Sequence, residues 1–68
     1  MTLDAQLLAA HTQDDKTALV RLYTQAADSA GTLDAACFYL THAYVFALEI
    51  DAPDQDALHA RLRKHGRV

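Results

Sequence analysis

TLDAACFYLTHAYVFALEID, residues 32–51, is the most apolar stretch of the chain, and it decides the fold. Thr32 is a suitable N-cap for a helix, and Asp34 falls in the first turn, where the helix dipole favours an acid. The stretch contains neither proline nor glycine. We therefore predict one long helix here, with the rest of the chain packed around it.

This central helix has more than one apolar face. At 100° per residue, the side expected to face the core holds Leu33, Ala36, Cys37, Leu40, Tyr44, Ala47 and Leu48. A second strip holds Phe38, His42, Val45, Phe46 and Glu49. These residues are either core of a bundle that wraps the helix or an exposed patch, and an exposed apolar patch usually marks an interface. We predict an interface, with another protein or with a second copy in a homodimer.

Three shorter helices are expected around it. The first spans residues 3–11 with Thr2 as its N-cap, the second spans 15–30, and the last begins near Pro53 and ends near Lys64. Gly31 is expected in the C′ position that ends the second helix. Because only one or two residues connect the second and third helices, the two should form an antiparallel hairpin.

These patterns predict an all-α fold, with three to four short helices packed as antiparallel hairpins or a small bundle in one domain, residues 1–68. The predicted core is Leu7, Leu19, Leu22, Tyr23, Leu33, Ala36, Leu40, Ala43, Tyr44, Ala47, Leu58 and Leu62.

Charge is distributed unevenly along the chain. Residues 1–60 hold nine acids and two bases (net −7), whereas residues 61–68 hold no acid and four bases (net +4): Arg61, Arg63, Lys64 and Arg67. The acidic body would repel nucleic acid, and only the tail could attract it. The alternative function is therefore a small regulator that binds nucleic acid through this tail, although the same bases also suit the C-terminus of the last helix.

Other functions find little support in the sequence. The histidines do not share the three- or four-residue spacing of helical metal sites, and no catalytic triad or glycine-rich phosphate loop is present. We therefore expect no enzyme activity, no metal and no cofactor. Cys37 is the only cysteine, and neither a signal peptide nor a membrane span is evident, so we expect a cytoplasmic protein.

Two resemblances involve the central stretch. Ala36, Leu40 and Ala43 match the second helix of a tetratricopeptide or Sel1-like repeat, although the first helix of the hairpin lacks the repeat's Trp-Leu-Gly-Tyr pattern. This resemblance, over about residues 18–48, implies a scaffold that binds proteins. FYLTHAYVFALE (38–49) and LHARLRKHGR (58–67) resemble a group of short uncharacterised proteins from alphaproteobacteria. That resemblance implies a bacterial origin and no particular activity.

Overall fold

The computed structural model describes residues 2–68 and confirms an all-α fold. Four helices follow one another: α1 (Leu3–Thr12), α2 (Lys16–Asp28), α3 (Leu33–Glu49) and α4 (Asp54–Lys64). No strand occurs among these residues. The helix positions agree with the sequence patterns to within about two residues at each end.

Short polar side chains set where the first three helices begin. Thr2 Oγ1 accepts a hydrogen bond from the Ala5 amide at 3.2 Å, and Thr32 Oγ1 accepts one from the Ala35 amide at 3.1 Å. Asp15 Oδ1 accepts a hydrogen bond from the Ala18 amide at 3.2 Å. Each cap satisfies an amide that has no partner within its own helix. These caps confirm the predicted starts of α1, α2 and α3.

Three helices end in a Schellman motif, with a left-handed residue just past the helix. The left-handed residues are Asp14 after α1, Asp51 after α3 and Gly66 after α4, with φ of 51°, 51° and 71°. In α4, for example, the amide of Gly66 donates to the Arg63 carbonyl, and that of Arg67 donates to the Leu62 carbonyl, both at 3.0 Å. These bonds turn the chain sharply and satisfy the last carbonyls of each helix.

The end of α2 differs from the prediction. This helix stops at Asp28, Ser29 is its C-cap, and Gly31 has no left-handed φ. The predicted C′ role of Gly31 is therefore wrong. The amides of Ser29 and Ala30 donate instead to the Ala26 and Ala27 carbonyls, each at 3.2 Å. The last turn thus tightens and ends without a left-handed residue.

The α2–α3 hairpin is the centre of the molecule, with α1 packed against α2 and α4 packed against α3. Lys16, at the start of α2, pairs with Glu49, at the end of α3, as an antiparallel hairpin requires. The main core joins α2, α3 and α4 through Val20, Ala27, Cys37, Leu40, Ala43, Ala47, Leu58 and Leu62. A smaller cluster joins α1 to α2 through Ala10, Leu19 and Leu22. The Cα atoms span 32 × 28 × 12 Å, so the molecule is thin.

The buried face of α3 is narrower than predicted. Leu40, Ala43 and Ala47 are buried as expected, but Leu33 is 50% exposed and is not part of the core. Leu33 opens α3, whereas α2 has already ended at Asp28, so the hairpin does not cover it. Val20, absent from the predicted core, lies on α2 and is buried in the cluster that joins α2, α3 and α4.

The two glycines should respond oppositely to substitution. Gly66→Ala should lower the free energy of unfolding by about 1 kcal/mol, because a left-handed backbone costs an L-residue about 1–2 kcal/mol. Gly31→Ala should leave it unchanged or raise it by up to about 1 kcal/mol, because its Cβ meets nothing within 4 Å and alanine restricts the unfolded chain. Urea unfolding of both variants measures the difference, and equal effects would contradict this account of the helix ends.

Candidate interaction surface

One exposed strip of α3 carries several large apolar side chains. It consists of Phe38, Thr41, Val45 and Leu48, which we call the outer strip. Phe38 is 59% exposed, Val45 46% and Leu48 48%. The spacing of three, four and three residues is that of the a and d positions of a coiled coil. These side chains therefore form one straight seam along α3, on the side away from the core.

The polar groups in and beside the outer strip are bonded to their own helix. The Thr41 hydroxyl donates to the Cys37 carbonyl at 2.8 Å. His42 Nδ1 lies 2.9 Å from the Phe38 carbonyl oxygen and, since a carbonyl only accepts, it carries the proton in this contact. The Thr41 hydroxyl and the His42 Nδ1–H would therefore keep their hydrogen bonds when a partner covers the strip.

The five predicted interface residues divide between the surface and the edge of the core. Phe38 and Val45 are exposed, whereas Phe46 is partly buried and packs against both hydrophobic clusters. His42 is also partly buried, with its ring stacked on Tyr23 at a centroid distance of 5.1 Å. Glu49 is exposed, and its carboxylate lies 3.2 Å from Lys16 Nζ. An exposed pair of this kind contributes about 0–1 kcal/mol.

Leu48 was predicted on the core side of α3, but it lies on the outer strip. The 100° projection grouped Leu48 with the core, but the side chain is nearly half exposed. The sequence does contain a signal for the exposed position of Leu48. Leu48 follows Phe38 by ten residues and Val45 by three, and residues at these spacings align along a helix in a seam of period 3.5.

An aromatic cluster beside the outer strip ties α1 to the hairpin. Its centre is Tyr23, whose hydroxyl lies 2.8 Å from His11 Nε2. The Tyr23 ring stacks against Phe46 at 5.9 Å, and His11 meets the edge of Phe46 at 6.0 Å. Burial, and to a lesser extent the neighbouring Tyr39, raise the pKa of Tyr23. Tyr23 is therefore a neutral phenol at pH 7, available for the hydrogen bond with His11.

A groove lies next to the N-terminal half of the outer strip. It has a volume of about 520 Å³ and is open to solvent. Its lining residues are Asp34, Cys37, Phe38, Thr41, His42 and Arg67, of which Cys37 is buried. The groove thus brings the Phe38 ring and the Arg67 guanidinium group together.

Half of the basic tail is engaged in holding α4 to the hairpin. Nη2 of Arg61 lies 2.6 Å from Oδ1 of Asp28, and Nη2 of Arg67 lies 2.6 Å from Oδ1 of Asp34. Arg63 and Lys64 are exposed, and neither forms an ion pair within the part of the chain described. The predicted nucleic-acid residues thus divide into two that bridge helices and two that face solvent.

The described residues contain neither a cluster of metal-ligating side chains nor a helix able to span a membrane. Across residues 2–68, no three histidine, cysteine or acidic side chains come together as a possible metal site. In the same range, every helix is too short or too polar to cross a bilayer.

Comparison with known proteins gave no match: no protein family, curated protein or solved structure is significantly similar to this chain. The tetratricopeptide and alphaproteobacterial resemblances therefore stay predictions.

Two phenylalanines on α3 should differ in their effect on stability. Phe46→Ala should lower the free energy of unfolding by about 2–3 kcal/mol, because Phe46 packs against both hydrophobic clusters. The loss should be somewhat smaller than for a fully buried phenylalanine, because Phe46 is only partly buried. Phe38→Ala should cost less than about 1 kcal/mol, because that ring is mostly exposed. Urea unfolding at low micromolar protein tests this, with circular dichroism as the check on folding. A larger loss for Phe38 would contradict the division of the surface.

Proposed function

We propose that this protein is a non-enzymatic protein–protein interaction module, a small adaptor that binds a helix of its partner along the outer strip. The observation that carries the proposal is the exposure of Phe38, Val45 and Leu48 in one seam of the central helix. Completely burying such a side chain is worth about 1.5–3 kcal/mol. Since these three side chains are already about half covered, a partner that buries the rest would gain roughly half of that free energy at each residue.

The rigidity of α3 supports the same function. Its opposite side is packed against α2 and α4 through Cys37, Leu40, Ala43 and Ala47. A partner would therefore meet a surface that is already ordered, and binding would not have to order the helix. A preformed helix face that accepts another helix is a common mode of protein recognition.

The ionisable residues near the strip are engaged in structural contacts, which also favours a non-enzymatic role. Glu49 pairs with Lys16, Asp34 pairs with Arg67, and His42 donates to the Phe38 carbonyl. We further propose that the protein acts in the bacterial cytoplasm, where its single, buried cysteine would stay reduced.

Site-specific photo-crosslinking tests the interaction function. A benzoylphenylalanine at position 45 should crosslink to protein, either another molecule of this chain or a different one, in cells that express it. The same probe at position 8 is the matched control, because Leu8 is 69% exposed but lies on α1. Crosslinking at 45 and not at 8 supports the proposal. Absence of crosslinks at 45, or equal yields at both positions, contradicts it.

Nucleic-acid binding by the tail is the competing function, and the exposure of Arg63 and Lys64 is the observation in its favour. Two phosphate contacts would give weak binding with a shallow dependence on salt. Deleting residues 61–68 is a poor test, since it removes Leu62 from the core.

The double variant Arg63→Glu/Lys64→Glu tests this alternative while leaving the core intact. Fluorescence anisotropy with duplex DNA and single-stranded RNA at about 50 mM salt, where phosphate contacts are strong, is the measurement. We expect no binding by either protein. Binding by the unmodified chain that the double variant loses would favour the nucleic-acid function instead.

A further inference from the structure

We propose that the partner of the outer strip is a second copy of this chain, with the two α3 helices antiparallel about a two-fold axis that crosses the outer strip between Thr41 and Val45. This inference rests on the proposed function and specifies its partner. Three features of the surface support it: the spacing of the strip, the charge at its two ends and the groove beside Phe38.

The outer strip is symmetric in its spacing. Its residues are separated by three, four and three positions, so the strip reads the same in both directions. In an antiparallel pair centred midway between Thr41 and Val45, Phe38 of one copy faces Leu48 of the other, and Thr41 faces Val45. Each contact then occurs twice, as an interface with two-fold symmetry requires. Every large apolar residue of the strip meets a residue of the same strip.

The net charge differs in sign between the two ends of α3, which favours the antiparallel arrangement. The start of α3 lies beside the basic C-terminal segment, since Arg67 reaches Asp34. The exposed Arg63 and Lys64 leave that segment a net positive charge. The end of α3 carries Glu49, which pairs with Lys16. It is followed by Asp51, whose carboxylate accepts a hydrogen bond from the neutral side-chain amide of Gln55. Antiparallel packing brings Arg67 of one copy towards Glu49 and Asp51 of the other, whereas parallel packing brings like charges together. Charge complementarity of this kind selects orientation and register.

The groove beside Phe38 offers space for the facing leucine. It lies at the N-terminal end of the outer strip, between Phe38 and Arg67. In the antiparallel register, this is the end that receives Leu48 of the second copy, with Glu49 next to it. The Phe38 ring would contact the leucine, and the Arg67 guanidinium would lie near the incoming carboxylate. Spacing, charge and shape thus agree on one arrangement.

Sedimentation velocity of the purified chain tests self-association. One helix face per copy is a small interface, and such contacts are generally weak. We therefore expect a monomer–dimer equilibrium with a dissociation constant of about 1–100 µM. Val45→Asp should weaken it at least about tenfold, whereas Leu8→Asp, a similar change at an exposed position of α1, should not. Circular dichroism verifies that both variants fold.

Cysteine pairing tests the orientation of the helices. Phe38→Cys and Leu48→Cys are made as two separate proteins, both in a Cys37→Ala background. The folding and dimerisation of that background are verified first. One of the two proteins carries a mass tag, so that their disulfides can be told apart. In the antiparallel dimer, position 38 of one copy is separated from position 38 of the other by ten residues of rise, about 15 Å, which is too far for a disulfide. Mild oxidation of the mixture should therefore give the mixed disulfide. Disulfides of each variant with itself would indicate parallel packing and overturn the proposal.

The outcomes separate this inference from the proposed function. A chain that stays monomeric at about 500 µM, well above the dissociation constants expected for a weak interface, overturns the homodimer. If position 45 nevertheless crosslinks to a different protein in cells, the interaction function stands without the dimer. A dimer that survives Val45→Asp and dissociates with Leu8→Asp contradicts both, because the interface would then lie on α1.

Discussion

The close packing of α3 between α2 and α4 is the contact on which the rest of the structure depends. Ala43 and Ala47 have no exposed surface, and their small side chains let neighbouring helices come near the α3 backbone. Leu40, Leu58 and Leu62 fill the space on either side of them. A domain of this length buries a limited fraction of its surface, so a few such residues supply much of the available stabilisation. The outer face of α3 is left uncovered by the same arrangement.

The thin shape of the molecule explains why an apolar strip stays exposed. Each helix packs mainly against the next one in the chain, and the Cα atoms extend only 12 Å in the shortest direction. Neighbours in such an arrangement cover the sides of a central helix but do not enclose it. The aromatic cluster around Tyr23 covers Phe46 and His42 in part. Phe38 meets only the edge of this cluster, through His42 and Tyr39, and its ring stays mostly exposed. The boundary between core and surface therefore passes through what looked like one strip in the sequence.

Electrostatic contacts between distant parts of the chain assign different roles to similar residues. Arg61 and Arg67 each pair with an aspartate 33 residues earlier in the chain. Arg63 and Lys64, only a few positions away, face solvent. No local pattern distinguishes these two pairs, because the separation depends on how α4 lies against the hairpin. Two of the four bases of the tail are thus paired within the chain by exposed contacts, which leaves only Arg63 and Lys64 unpaired among them for phosphate groups of a nucleic acid.

The sequence by itself determined the four helices, the Thr2 and Thr32 caps and the antiparallel hairpin, because these depend on local periodicity, short polar caps and short connections. It also identified Phe38 and Val45 as residues that a one-sided core does not need. Only the tertiary structure decided that Phe46 is partly covered while Leu33 and Leu48 are exposed. Helical periodicity shows which residues share a face, but the neighbours that cover that face are set by long-range packing. For the same reason, the complete outer strip became visible only once α1, α2 and α4 were in position around α3.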